Sequence, residues 1–147
     1  MADLKVTITE ALKLQGNNQG ATHTKTISGI NEASRRVVNV RTHADATELI
    51  KTAAADGAGT FKTDNIKYIR VTNLDSSNYV LLSLEASGHF AQVKIEAGKS
   101  FMMGTANGFD NVDTSSNFSS YSAVDITTLK AQANTAAVDL EVFIATA

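Results

Sequence analysis

The chain has 147 residues, with 43% hydrophobic residues, 19% charged residues and a formal charge of −2. This composition suffices for a buried core, and it lacks the excess of basic residues that is typical of nucleic-acid-binding proteins. The absence of cysteine excludes disulfides, zinc–thiolate sites and thiol nucleophiles. We therefore expect one globular domain over residues 1–147 that does not bind nucleic acid.

The N-terminus and the hydropathy pattern argue against export and against a membrane. No stretch approaches the roughly 18 consecutive apolar residues that a membrane-spanning helix needs. Charges at Asp3, Lys5 and Glu10 interrupt the first segment, which is therefore not typical of a signal peptide. We expect synthesis in a cytoplasm and no association with a membrane.

Alternation of apolar and polar residues with a period of two predicts strands along most of the chain. It begins where Leu4, Val6 and Ile8 alternate with polar residues, and we expect this N-terminal strand to have one face buried in a sheet. Further strands are predicted at 21–30 and 35–42.

The segment 44–55 fits two structures. The spacing of Ala46, Leu49, Ile50 and Ala53 is compatible with a short amphipathic helix. It is also compatible with a strand that has Leu49 and Ala53 on one face and Ile50 on the other. The pattern by itself leaves both interpretations open.

The middle of the chain has the strongest strand pattern. Strands are predicted at 66–72, 79–85, 89–96 and 100–103, and the turn cluster Asn73–Asn78 separates the first two. Because short connections favour pairing of successive strands, we predict an antiparallel meander. The residues expected to pack in the core are Ile69, Val71, Val80, Leu82, Val93 and Ile95.

The last third of the chain contains a long loop and two strands. Residues 104–121 are poor in aliphatic side chains and rich in Asn, Ser, Asp and Gly, which predicts a loop. A weaker strand is predicted at 123–132, and a clear alternation follows at 138–144. About eight short strands indicate an all-β fold, an antiparallel β-sandwich that is jelly-roll-like.

No recognisable catalytic motif is present. Lys99 follows Gly98 as at the end of a phosphate-binding loop, but Val93 stands where that motif needs glycine, and the following residues continue a strand pattern. A turn with glycine at a positive φ is the better interpretation. None of the three histidines has another ligand at the spacing of a metal site: His23, His43 and His89.

An oxygen-rich cluster in the long loop has two interpretations. Asn107, Asp110, Asn111 and Asp113 offer the hard ligands that calcium prefers, but their spacing does not match an EF-hand. The alternative is a solvated loop in which these side chains bond the local backbone. We expect no cofactor and no metal essential to the fold, and we expect that the protein is not an enzyme.

Apolar residues in loop-like contexts are the candidate interface. Met102 and Met103 are consecutive, so they face opposite sides of one strand and one of them is expected outside the core. Exposed aromatic and Met side chains mark association surfaces, although the same residues could instead cap the ends of a sandwich. The N-terminal segment is a second expected contact. The candidate interface residues are Phe101, Met102, Met103, Phe109, Phe118 and Tyr121.

Three segments, Gly57–Phe61, Tyr68–Asp75 and Gly98–Phe101, resemble small virion proteins of tailed bacteriophages of the marine and cyanobacterial type. The resemblance covers about residues 57–104 and is a strand–turn–strand pattern without catalytic residues. It implies a jelly-roll-like β-sandwich with a structural role in the virion. It also favours a strand over a helix at 47–54.

The resemblance leads to the hypothesis of a capsid decoration, or cement, protein that binds the assembled head and stabilises it. Its expected partners are the major capsid protein, other virion proteins and further copies of itself, as in a trimer. A tail, neck or head-fibre component, including a receptor-binding one, is the alternative. A soluble carbohydrate-binding module is a further alternative, although such modules usually present tryptophan or tyrosine platforms and this chain has no tryptophan.

Overall fold

The computed structural model describes residues 1–42, 46–55, 57, 59–106 and 124–147. Within these ranges the chain is mostly extended, with one 3₁₀ turn at Thr63–Asn65 and no α-helix. The strands are β1 (Ala2–Thr9), β2 (Lys13–Leu14), β3 (Asn17–Asn18), β4 (Thr22–Ile30), β5 (Glu32–Val40), β6 (Thr47–Ala53), β7 (Thr60–Lys62), β8 (Ile66–Asn73), β9 (Val80–Ala86), β10 (His89–Ile95), β11 (Ser100–Met103), β12 (Ile126–Ala133) and β13 (Val138–Thr146).

Two sheets form a sandwich. The five-stranded sheet has the order β10-β9-β12-β6-β7, and the four-stranded sheet has the order β11-β8-β13-β5. Neighbouring strands are antiparallel, except that β6 and β7 are parallel. The predicted all-β antiparallel sandwich is confirmed, whereas the jelly-roll-like connectivity stays a prediction.

The core lies between the two sheets, because alternate residues of each strand point inward. In β8 and β9 the inward side chains are at most 5% exposed, and in β10 Val93 is half-buried against the same core. Burying such a side chain contributes roughly 1.5–3 kcal/mol. All six residues that the sequence predicts for the core pack there: Ile69, Val71, Val80, Leu82, Val93 and Ile95.

The meander predicted over 66–103 is wrong. Only β9 and β10 form a hairpin, while β8 lies in the other sheet and pairs with β11. The buried Asn73 explains why the chain crosses between sheets after β8. Its side-chain amide donates to the carbonyl of Asn78 at 2.8 Å and to that of Ile95 at 3.2 Å. These bonds tie the connection to the end of β10 in the opposite sheet.

The described part of the ambiguous segment 44–55, residues 46–55, contains strand β6, as the resemblance favours, and not a helix. Leu49 and Ile50 are consecutive and both fully buried, which a regular strand with one buried face does not allow. The pairing with β12 skips Leu49, so this residue is the extra one of a β-bulge. A bulge turns the local side chains, which explains why the pattern fits a helix as well as a strand.

Residues 2–30 form a separate two-stranded ribbon, which we name the arm. The pair β1–β4 and the pair β2–β3 share one register, so the arm is a continuous hairpin. Its turn consists of Gln15 and Gly16, which have φ values of 49° and 85°. Two positive φ values are the requirement of a type I′ turn, and this turn matches the twist of the flanking strands.

The N-terminal strand is not part of either sandwich sheet, contrary to the expectation that a sheet buries one of its faces. It pairs with β4 alone, and Ile8, the last residue of its apolar face, remains 41% exposed. Alternation defines an apolar face but does not say what covers it. The C-terminal strand β13, in contrast, lies in the interior of the four-stranded sheet, between β8 and β5.

Candidate functional site

The outer face of the four-stranded sheet carries large apolar side chains beside charged ones. Tyr68, Met102, Phe143 and Val37 occupy outward positions on four different strands, because the inward positions of these strands are taken by the core. Met102 is 42% exposed and Val37 is 59% exposed. An outer face that were simply solvated would carry short polar residues, so this composition marks it as a candidate contact surface.

The predicted interface residues divide between this face and the core. Met102 lies on the outer face, whereas Phe101 and Met103 are half-buried and pack against the core. The two methionines therefore point to opposite sides, as predicted. The other three candidates lie outside the described residues, and their role as contacts stays a prediction: Phe109, Phe118 and Tyr121.

Glu141 is the most buried charged residue of the described part, and it lies on the same outer face. Its carboxylate accepts a hydrogen bond from Arg35 Nε at 2.7 Å and another from Arg70 Nη2 at 2.5 Å. The hydrogen bond from Arg35, together with that from Arg70, holds the pKa of Glu141 below its ordinary value. Two arginines around one carboxylate leave a net positive charge at the centre of the face.

Two aromatic rings lie beside this charged cluster. The rings of Tyr68 and Phe143 have their centroids 6.0 Å apart at an interplanar angle of 62°, which is an edge-to-face contact. In the pairing of strands, Arg70 lies between Met102 on one side and Phe143 on the other. Arg70 therefore has an apolar side chain on each side, so charged and apolar groups alternate across this part of the outer face.

The base of the arm lies over this face without closing on it. One groove of about 370 Å³ separates the β1 residues Leu4 and Val6 from Tyr68, Arg70 and Phe143. The neighbouring groove of about 250 Å³, which we name the arm groove, is lined mainly by apolar side chains. Its lining includes Val6, Ile8, Ile27, Tyr68, Met102 and Met103.

The tip of the arm extends beyond the grooves. All residues from Glu10 to Gln19 are exposed, and they include Leu12 at 55% and Leu14 at 57% exposure. Positions two apart on an extended strand point to the same side, so the two leucines form one apolar patch. An isolated two-stranded hairpin is at best marginally stable in water, so a surface that covered this patch would stabilise the tip.

The residues considered for catalysis or metal binding do not come together in the described part. Nowhere within it do three or more His, Asp or Glu side chains lie close enough to hold a metal ion. His23 borders the arm groove, and His89 begins β10. Gly98 has a φ of 70°, which fits the predicted turn before Lys99. His43 and the calcium candidates lie outside the described residues, the latter being Asn107, Asp110, Asn111 and Asp113.

Sequence reasoning missed the ion cluster and the apolar tip. The pair Arg35-Arg36 suggests a solvated edge or an interfacial ion pair, but both guanidinium groups bond within the chain. Arg35 bonds Glu141, and Arg36 donates to the carbonyl of Leu49 in the opposite sheet. For the tip, the available signal is Gly16 between two short polar segments, although Gln at the preceding position is not one of the residues usual in a two-residue hairpin turn.

Comparison with known proteins finds no matching family model, no similar curated protein and no similar solved structure. Over the residues that the structure describes, no helix has the length and apolarity needed to cross a bilayer. The functional argument therefore depends on the outer face, the arm groove and the arm tip.

Proposed function

We propose that this chain is a non-enzymatic structural protein of a tailed-phage virion, namely a capsid decoration protein that binds the assembled head and stabilises it. The observation that carries the proposal is the arm, a hairpin of about 30 residues that projects apolar side chains away from a rigid sandwich. An exposed extension with apolar side chains is typical of a part that contacts a neighbour in an assembly.

The packing of the sandwich suits a protein that reinforces a shell. Its two sheets bury a continuous aliphatic core, and both charged and apolar groups on the outer face are held by contacts with their neighbours. A surface that is ordered before binding loses little conformational entropy on docking. The formal charge of −2 allows many copies to pack closely without strong repulsion.

The resemblance in segments 57–61, 68–75 and 98–101 supports the virion as the setting. The expected partners are the major capsid protein and further copies of the chain, and the virion is the expected location. The absence of any recognisable catalytic motif supports a binding role over an enzymatic one.

The test is to purify particles of the encoding phage that lack this gene product and to add the purified chain back. Binding to heads, with a higher temperature of genome release, supports the decoration role. Binding only to tails or necks supports the alternative of a tail, neck or head-fibre component. A chain that binds neither part contradicts the proposal. A Phe90→Ser variant is a suitable control, because Phe90 is exposed on the sheet that carries neither the arm nor the charged cluster.

A further inference from the structure

The arm presents most of its length to solvent. Among the described residues it is the longest continuously exposed element, and only Leu4, Val6, Gly20, Ile27 and Gly29 are half-buried between Met1 and Gly29. Its tip carries two large apolar side chains, Leu12 at 55% and Leu14 at 57% exposure.

The arm groove has the size of the apolar patch at the arm tip. An apolar cavity of about 150 Å³ holds the six carbon atoms of benzene, so about 250 Å³ holds roughly ten carbon atoms. The side chains of Leu12 and Leu14 together have eight carbon atoms. Both surfaces are mainly apolar, and within the described residues each remains open to solvent.

The tip cannot enter the groove of its own chain. Ile8 lines the groove, and Leu14 lies six residues further along an extended ribbon, which places it about 20 Å away. The continuous register through the arm prevents it from folding back. A second copy carries the same groove, open and of matching size.

We propose that the arm tip of one copy, through Leu12 and Leu14, docks in the arm groove of a second copy. Each chain has one tip and one groove, so the contact forms a reciprocal dimer, a closed ring such as a trimer, or an open filament if the rotation between copies does not close. The contact requires only the purified chain, and it is independent of whether the chain belongs to a virion. If the chain does not bind particles, the proposed contact between copies is unaffected. If the contact between copies is not found, the proposed virion role is unaffected.

Cross-linking gives the direct test, because the chain has no cysteine of its own. Purified Leu14→Cys and Met102→Cys variants are mixed in equal amounts and treated with a short bismaleimide. We expect a cross-linked species that contains one of each variant, because Met102 lines the groove. The matched control replaces Met102→Cys by Phe90→Cys, whose position is exposed on the other sheet, and it should give little product. Equal yields in both mixtures would overturn the proposal.

Sedimentation equilibrium provides the second test. The parent chain should self-associate, and the double variant Leu12→Ser, Leu14→Ser should have a dissociation constant higher by about a hundredfold or more. The double variant Leu74→Ser, Phe90→Ser removes equally exposed apolar side chains away from the arm and should associate like the parent. A monomeric parent, or an arm variant that associates as tightly as the parent, would overturn the proposal. Circular dichroism establishes that each variant keeps its β structure.

Discussion

Arg70 Nη2 donates a hydrogen bond to Glu141 Oε1 at 2.5 Å across two neighbouring strands of the four-stranded sheet. Arg35 bonds the other oxygen of the same carboxylate from the opposite side. A single carboxylate therefore links β5, β13 and β8 on the outer face. This link holds the three strands together on the outer face, and its strength depends on the negative charge of Glu141.

The stability of the protein should depend on pH through Glu141. Its pKa in the folded chain is below the ordinary value of 4.5, mainly because Arg35 donates a hydrogen bond to the ionised form. The unfolded chain then binds more protons near pH 4, so the stabilisation is present at neutral pH and decreases as pH falls through the lower folded pKa. We expect Glu141→Gln to be less stable than the parent at pH 7.

Urea unfolding of the parent and of Glu141→Gln at pH 7 and at about pH 3 measures this contribution. The other carboxylates are common to both proteins, so the difference between the two free energies of unfolding reports mainly on Glu141. We expect that difference to become smaller at the lower pH. The same difference at both pH values would show that the ion cluster does not stabilise the fold through its charge.

Leu82 tests the sandwich core. It is fully buried between the sheets, so Leu82→Ala should lower the free energy of unfolding by about 2–5 kcal/mol through the cavity that it leaves. Leu74 is 52% exposed, and Leu74→Ala should have a much smaller effect. Chemical denaturation distinguishes the two. Equal effects would mean that the register of β9 is wrong, since a slip of one residue inverts the faces of a strand.

Variants of Met102 and Met103 distinguish a role in self-association from a role in the stability of the fold. Met102 is exposed on the outer face, so Met102→Lys should leave the melting temperature nearly unchanged while weakening self-association. Met103 packs against the core, so Met103→Lys buries a charge and should strongly destabilise the fold. Thermal unfolding and light scattering measure the two properties. A strong loss of stability in the Met102 variant would argue against its assignment to the outer surface.

The turn between β8 and β9 depends on Asp75. One of its oxygens accepts hydrogen bonds from the backbone of Ser77 at 2.7 Å and of Asn78 at 2.6 Å. Asp75→Ala removes both bonds and should lower the melting temperature, whereas Asp75→Asn keeps an acceptor oxygen and should lower it less. If both variants melt like the parent, the side chain of Asp75 does not hold this crossing connection.

The sequence predicts the strands and the core well, because side chains alternate about each strand wherever it lies in the chain. Ile69 and Val80 are identified in this way without knowledge of the neighbouring strands. Sheet membership is not predictable in the same manner, since the polar connection after Asn73 suits either a hairpin or a crossing between sheets. The hydrogen bond from Asn73 to Ile95 decides between them, and this bond joins residues that are 22 positions apart.

The candidate site is less accessible to sequence reasoning. Glu141 occupies an outward position on β13, and such a residue is ordinarily solvated. Its partners Arg70 and Arg35 are 71 and 106 positions away, so no local spacing indicates the cluster. The alternation in β1 identifies an apolar face. It does not show that β1 lies in an arm outside the sandwich, which only the tertiary structure reveals.

Electron cryo-microscopy of intact virions of the encoding phage tests the assembly role most directly. The proposed decoration role predicts density for the β-sandwich at repeated positions over the capsid lattice, with the arm of each copy in contact with its neighbour. Particles whose capsid surface lacks this density, whether the chain is absent from them or confined to the tail or neck, would contradict it.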